Sequence, residues 1–275
     1  MIKPKLPPTI FKGHINVNNL ANLYDNGFYA EQIDGSYRSA KKFVDILSNV
    51  FVPSSVVDLG CGRGTWLKAF IEQGASKAFG LDGAWNSQEQ MIDPAIKFIQ
   101  VDLNKSLDGF DLPKFDLAMS LEVAEHLEAS SAKTFVESLT NLSDNVLFGA
   151  AYAGQGGTNH INEQPHSYWA DFFKQYDYAP FDIFRPRVWG DDEIDFWYRQ
   201  NSFLYLRSNS DLHNKLTEQG YRPVDIEFMN CIHPRLYEHY TGPETFISLL
   251  KKMIILSIPQ SMRPAISKVK KVIMG

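Results

Sequence analysis

Three groups of residues in this chain are of types and spacings that could do chemistry. The first is Asp58-Leu59-Gly60-Cys61-Gly62-Arg63-Gly64-Thr65, where an acid and three glycines follow a short apolar run and precede a helical pattern. Glycines at such a junction let the backbone turn sharply and approach a ligand closely. Two further acids, Asp82 and Asp102, close the next two apolar runs. The second group is Glu122, Glu125 and His126, spaced i, i+3, i+4. In a helical turn all three would point to one side, and two carboxylates with an imidazole make part of a divalent-metal shell. The third is Asn159-His160-Ile161-Asn162-Glu163-Gln164-Pro165-His166, with two imidazoles and a carboxylate.

The elements that must position these groups follow from hydrophobic spacing. Glu31 to Val50 reads as an amphipathic helix ended by Pro53. Ser55–Leu59, Lys77–Asp82, Ile96–Asp102, Phe115–Leu121 and Asn145–Ala151 read as strands, with helices at Thr65–Gln73 and Ser131–Leu142. Strands separated by helices mean βαβ units and a parallel sheet covered on both faces. Further on, helices are expected at Ser167–Tyr176 and Asp211–Gln219, and strands at Phe181–Arg185 and Ser202–Arg207. Tyr221–Met229 reads as extended.

The glycine loop has its acid two residues before the first glycine, and Thr65 where a nicotinamide-binding fingerprint would want glycine. It resembles the D-x-G-x-G-x-G pattern of class I S-adenosylmethionine (SAM) methyltransferases, over about residues 30 to 208. The resemblance implies an α/β, Rossmann-like fold with a mostly parallel seven-stranded sheet, its last strand antiparallel, and helices on both faces. SAM would lie at the carboxyl ends of the strands. Asp58, Gly60, Cys61 and Gly62 would form the donor loop, and Asp82 with Gly83 would meet the ribose hydroxyls. Asp102 and Leu103 would meet the adenine edge. Ser120 belongs to the strand-four motif Asp116–Glu122, which passes under the methyl donor.

The E-x-x-E-H pattern is similar to that of metal-dependent methyltransferases, such as small-RNA ribose methyltransferases and ubiquinone-pathway O-methyltransferases. In those a later histidine or other polar group completes the shell. On that likeness Glu122, Glu125, His126 and His160 are candidate ligands for Mg²⁺ or Mn²⁺, with His166 the second choice after His160. A cation there would polarise a substrate hydroxyl and make its oxygen nucleophilic. An E-H-L run also occurs in class I methyltransferases without a metal, and there His126 or His160 would act as a general base. The catalytic candidates are His126, His160 and Glu163.

Residues 164–207 crowd aromatics, among them Trp169, Phe173, Trp189, Trp197 and Tyr198, beside Arg185, Arg187, Arg199, Gln200 and Asn201. Ring faces beside guanidinium and amide groups suit a sugar or nucleotide. Trp169 and Phe173, at helical spacing, read as core instead. Together with Gly35-Ser36 and the Asn159–Gln164 segment, the run resembles a bacterial group of methyltransferases associated with surface-polysaccharide biosynthesis. That likeness implies a small-molecule acceptor: a sugar, nucleotide-sugar or capsule intermediate.

Composition narrows the alternatives. Of the 275 residues, 44 % are hydrophobic and 21 % charged, which excludes wholesale disorder. Two cysteines cannot form a disulfide framework, and Met1–Pro8 shows no apolar leader, so a cytoplasmic protein is expected. The net charge of -5 opposes nucleic acid as a partner. An RNA ribose methyltransferase is one rival reading, and a non-catalytic SAM-binding regulatory protein is another. The length divides into a lead-in (1–30), a methyltransferase domain (31–208, acceptor-pocket elements from about 152) and a C-terminal extension (209–275). After Glu244 the chain carries no acid but Lys251, Lys252, Arg263, Lys268, Lys270 and Lys271 among apolar residues, a pattern suited to peripheral contact with an anionic membrane. The sequence leaves the oligomeric state open.

Overall fold

The computed structural model of the chain describes residues 26–241. The basic tail, and the membrane contact expected of it, lie outside the described residues, as does most of the lead-in. A helix, α1 (Asn26–Ser48), precedes β1 (Ser55–Leu59), α2 (Thr65–Glu72), β2 (Lys77–Asp82), β3 (Ile96–Gln100) and β4 (Leu117–Leu121). Then come α3 (Ala132–Leu142), β5 (Asn145–Gly149), α4 (His166–Lys174), β6 (Tyr178–Phe181), α5 (Arg185–Val188) and α6 (Phe196–Asn201). The chain continues through β7 (Phe203–Arg207), α7 (Asp211–Glu218) and α8 (Pro234–Thr241).

The seven strands form one sheet in the order β3-β2-β1-β4-β5-β7-β6. β1 runs parallel to both β2 and β4, with Val57 opposite Phe79 on one side and Ala118 on the other. β7 alone is antiparallel to its neighbours, setting Leu204 between Leu147 and Phe181. Strand order reverses between β1 and β4, and in open α/β sheets the crevice beyond the carboxyl ends at such a reversal is where ligands bind.

Period-two alternation explains why these strands read as continuous apolar runs. Val56, Leu117, Met119, Leu147, Leu204 and Leu206 face a core with α1, α2 and α7. Val57, Ala118, Val146, Phe148, Phe203 and Tyr205 face a second core with α3 and α4. Trp169 and Phe173 are buried in that second core as expected, Phe173 stacking on Tyr205 with ring centroids 3.9 Å apart. Leu212 and Leu216 of α7 join the first core, so the packed body continues past residue 208.

Two expectations need correction. The strand read at Phe181–Arg185 lies earlier, at Tyr178–Phe181, and Arg185 opens a short helix instead. Pro186 favours a first helical turn, and Asp182 Oδ1 accepts the Arg185 N–H at 3.1 Å. Tyr221–Met229 forms no strand: Pro223 lacks a donor, and Asp225 accepts the Glu227 N–H at 3.1 Å to start a 3₁₀ turn over Ile226–Phe228. No helix among the described residues is long and apolar enough to cross a membrane.

Candidate active site

The glycine loop leaves β1 at its carboxyl end. The N–H groups of Gly60 and Cys61 both donate to the Leu81 carbonyl, at 2.7 and 3.2 Å, so the loop is tied across to β2. Gly60 has φ 88°, and a Cβ there would lie 2.3 Å from a Val123 methyl. Gly60→Ala should therefore cost about 1–3 kcal/mol of stability and weaken donor binding, measured by denaturant unfolding and calorimetry. The same contact shows that the Glu122–His126 segment abuts the donor loop.

Asp58 and Asp82 are both buried here. Burial, and secondarily the charge of Asp82, holds the Asp58 carboxyl well above the usual range. Asp82 accepts the Gly62 N–H at 2.8 Å and the Gly83 N–H at 2.7 Å, yet burial still raises its pKa. Two such carboxyls at the strand ends suit a ligand that brings positive charge and hydroxyl donors, as SAM does. Cys61 is buried and its thiol pKa is pushed up, by burial first and then by Asp58 and Asp82, so it is no nucleophile.

The other donor-site candidates divide. Ser120 Oγ donates to the Leu59 carbonyl at 2.7 Å, so its hydroxyl clamps β4 to β1. Asp102 is exposed, pairs with Lys105 at 3.0 Å and accepts the Asn104 N–H at 3.1 Å; the Lys105 contact leads in lowering its pKa. Leu103 is buried beside it. The sequence reading missed Trp85, whose side chain lies against the Gly83 α-carbon and is 80 % exposed. A tryptophan three residues after the ribose-type acid was the available signal, because an exposed ring there offers a face to an aromatic base.

The acid–imidazole group is built differently from a single helical turn. Glu122 has φ 56°, outside the 3₁₀ turn of Ala124–His126, and its side chain goes its own way. Asn201 Nδ2 donates to Glu122 Oε1 at 2.8 Å, and Gln155 Nε2 donates to Oε2 at 2.7 Å. Burial pushes Glu122 up to about 7 against these two amide donors. Glu125, His126 and His160 do converge, with one ligand atom from each lying within 4.8 Å of the others. Among the described residues, Glu122 is outside that group.

Glu125 is 0 % exposed and neither carboxylate oxygen has a hydrogen-bond partner. Burial, then the Glu122 charge, holds its carboxyl well above the usual range, against the nearby N–H groups of Glu125 and Ala151, which lower it. His126 is lowered by burial and by neighbouring His160, and the two rings meet edge-on with centroids 4.7 Å apart. An unpaired buried carboxylate costs roughly several kcal/mol. A carboxylate with two imidazoles is also a donor set that a divalent cation accepts, so these residues fit one.

His160 stands in the loop between β5 and α4. The Glu125 carbonyl accepts the N–H groups of Ile161 and Asn162, both at 2.9 Å. His160 Nδ1 lies 2.8 Å from Glu163 Oε1 and Nε2 lies 3.9 Å from Glu125 Oε1. His166 points elsewhere, between Asn201 Oδ1 and the Met229 carbonyl, both at 3.0 Å.

The polar residues expected to face a sugar are turned inward. Arg185 is bonded to Asp182 and the Met229 carbonyl, and Arg187 to the Ile183 carbonyl and Tyr221. Arg199, Gln200 and Asn201 are buried in the body of the protein. Gln200 accepts the His233 N–H at 2.7 Å, and Asn201 serves Glu122. Trp197 and Tyr198 remain half-buried. Ser36, on α1, lies 3.0 Å from Thr65 Oγ1 at the start of α2.

No curated protein matches the chain. Among solved structures, an O-methyltransferase family protein from Burkholderia thailandensis is 15 % identical, with a TM-score of 0.49, covering 68 % of this chain and 61 % of its own. The methyltransferase domain of bacterial CtHen1-C is 17 % identical, with a TM-score of 0.48, covering 62 % of this chain and 98 % of its own. Magnesium protoporphyrin IX methyltransferase from Synechocystis, with bound S-adenosylhomocysteine, is 16 % identical, with a TM-score of 0.45, covering 72 % of this chain and 90 % of its own. The family described as "Methyltransferase domain" matches residues 29–224, which takes in the whole sheet and the glycine loop. The chain belongs to the methyltransferase-domain family.

Proposed function

We propose that this SAM-dependent methyltransferase O-methylates a small hydroxylated acceptor, a sugar, nucleotide-sugar or polysaccharide intermediate, by direct in-line transfer. The observation that carries the O-methylation is Glu125, buried and unpartnered, with His126 and His160, on the segment that packs against the donor loop. An alcohol is a poor nucleophile until its proton is drawn off, and this group is made to draw one off. The sugar rests on the resemblance of the 159–201 region. The net charge of -5 supports a small acceptor over RNA.

Asp58, the glycine loop and Asp82 are the residues that would hold SAM beside the acceptor. The acceptor oxygen attacks the methyl carbon, the carbon–sulfur bond breaks, and S-adenosylhomocysteine leaves with the electron pair on sulfur. Much of the rate comes from holding the two reactants in line. Glu125, His126 and His160 are the residues that would hold a divalent cation. When bound, the cation lowers the pKa of the acceptor hydroxyl. Without a cation, the same His160 lone pair would instead take the hydroxyl proton.

The decisive experiment is methyl-donor turnover against a panel of nucleotide-sugars and glycan intermediates, with mass spectrometry of the product. Turnover of none of these, with tight salt-sensitive RNA binding, would overturn the acceptor. Chelation tests the cation: activity should be lost and then restored by Mn²⁺ better than by Mg²⁺, because imidazole nitrogen is a poor ligand for Mg²⁺. Activity indifferent to chelation leaves His160 as a metal-free general base.

A further inference from the structure

We propose that Glu163 is a positioning residue that fixes the tautomer of His160, leaving Nε2 as the bare nitrogen that faces Glu125. The inference rests on the O-methylation reading, which needs His160 to offer a lone pair at one defined atom.

Glu163 Oε2 accepts the Gly154 N–H at 2.7 Å, and Oε1 accepts the Gly156 N–H at 2.7 Å. Oε1 also lies 2.8 Å from His160 Nδ1. Both oxygens thus accept from backbone donors, and a carboxylate has only acceptors to offer His160. The proton in the His160 contact therefore sits on Nδ1. A neutral imidazole carries one N–H, so Nε2 keeps its lone pair.

The direction of that lone pair is set by the same loop. Gly157 has no side chain, and a Cβ there would lie 2.3 Å from His160 Nε2 and 2.4 Å from Cε1, so the ring lies across a bare α-carbon. The next two residues are tied to the Glu125 carbonyl. Nε2 is left 3.9 Å from Glu125 Oε1, beyond hydrogen-bond reach, with the His126 ring edge-on to it. The opposite tautomer would aim an N–H at this point, where it could neither ligate a cation nor accept the proton of a hydroxyl.

Nitrogen-15 NMR of the full-length, chelator-treated protein reads the tautomer directly, with the His160 signals identified by their loss in His160→Gln. The expected spectrum shows Nδ1 protonated and Nε2 unprotonated in the neutral ring. In Glu163→Ala the ring should populate both tautomers, and kcat should fall about 10- to 100-fold while SAM affinity holds. A wild-type ring protonated at Nε2 overturns the proposal. So does a Glu163→Ala protein with the wild-type tautomer and kcat. If that variant fails to fold, the wild-type spectrum alone decides. If the tautomer is as expected but His160→Gln retains full activity, the functional reading of His160 fails while the assignment of Glu163 stands.

Discussion

Exchanging Glu125 for glutamine should lower methyl transfer by about 10²–10⁴-fold while leaving the chelator-treated protein as stable as wild type or more so. The two effects have one cause. Glu125 sits where a charge is unfavourable, with no exposed surface and no hydrogen-bond partner for either oxygen. Its carboxyl is held well above the usual range by burial and by Glu122. Glutamine keeps the shape and removes the charge, and with it the anionic ligand for a cation and the group that can take up a proton. Removing an uncompensated buried charge stabilises a fold even where it ends function.

The pH dependence follows with a definite sign. The native protein binds a proton at Glu125 more tightly than the unfolded chain does, so this group lowers stability as pH rises. The deficit is absent below the ordinary carboxylate range and grows as pH climbs through it, levelling off above the raised native pKa. Urea midpoints of wild type and variant should therefore agree in acid and separate toward neutral pH, the variant higher. A variant that is less stable at every pH, or fully active, would refute the role given to Glu125.

Asp82→Ala should weaken SAM binding about 10- to 100-fold in calorimetry and leave acceptor KM unchanged. Hydrogen bonds to a charged group are worth roughly 1.5–3 kcal/mol, and Asp82 is the acid at the end of β2 that we propose accepts from the ribose. Its loss also frees the Gly62 and Gly83 N–H groups, which it holds at 2.8 and 2.7 Å. Unchanged affinity would show that the ribose is held elsewhere.

Much of the fold was legible in the chain. β1 and β2 lie at the residues read from the apolar runs, because strands buried on both faces announce themselves as short, mostly apolar stretches, with Val56, Val57 and Leu59 in one and Ala78, Phe79 and Leu81 in the other. The donor loop was legible for a similar reason: the turn geometry demands glycine, and Gly60 fills a place where any side chain would strike Val123. The second half was harder. Pro186 and Asp182 turned an expected strand into a helix, and a single proline outweighed the apolar pattern around it.

What the sequence by itself determined is the sheet, the glycine loop with Asp58 and Asp82, and the presence of Glu125, His126 and His160. These rest on local rules of spacing, turn chemistry and hydrophobic period. Only the tertiary structure decided which of those side chains meet. It drew Glu122 away to Asn201 and Gln155, 79 and 33 residues on, and brought His160 from the next strand's loop to Glu125. It also turned Arg199 and Gln200 into the interior and left the Glu125 carboxylate without a well-formed hydrogen bond. The physical reason is that a buried polar group takes whichever donor the packing of distant elements supplies, and no periodicity along the chain encodes that partner.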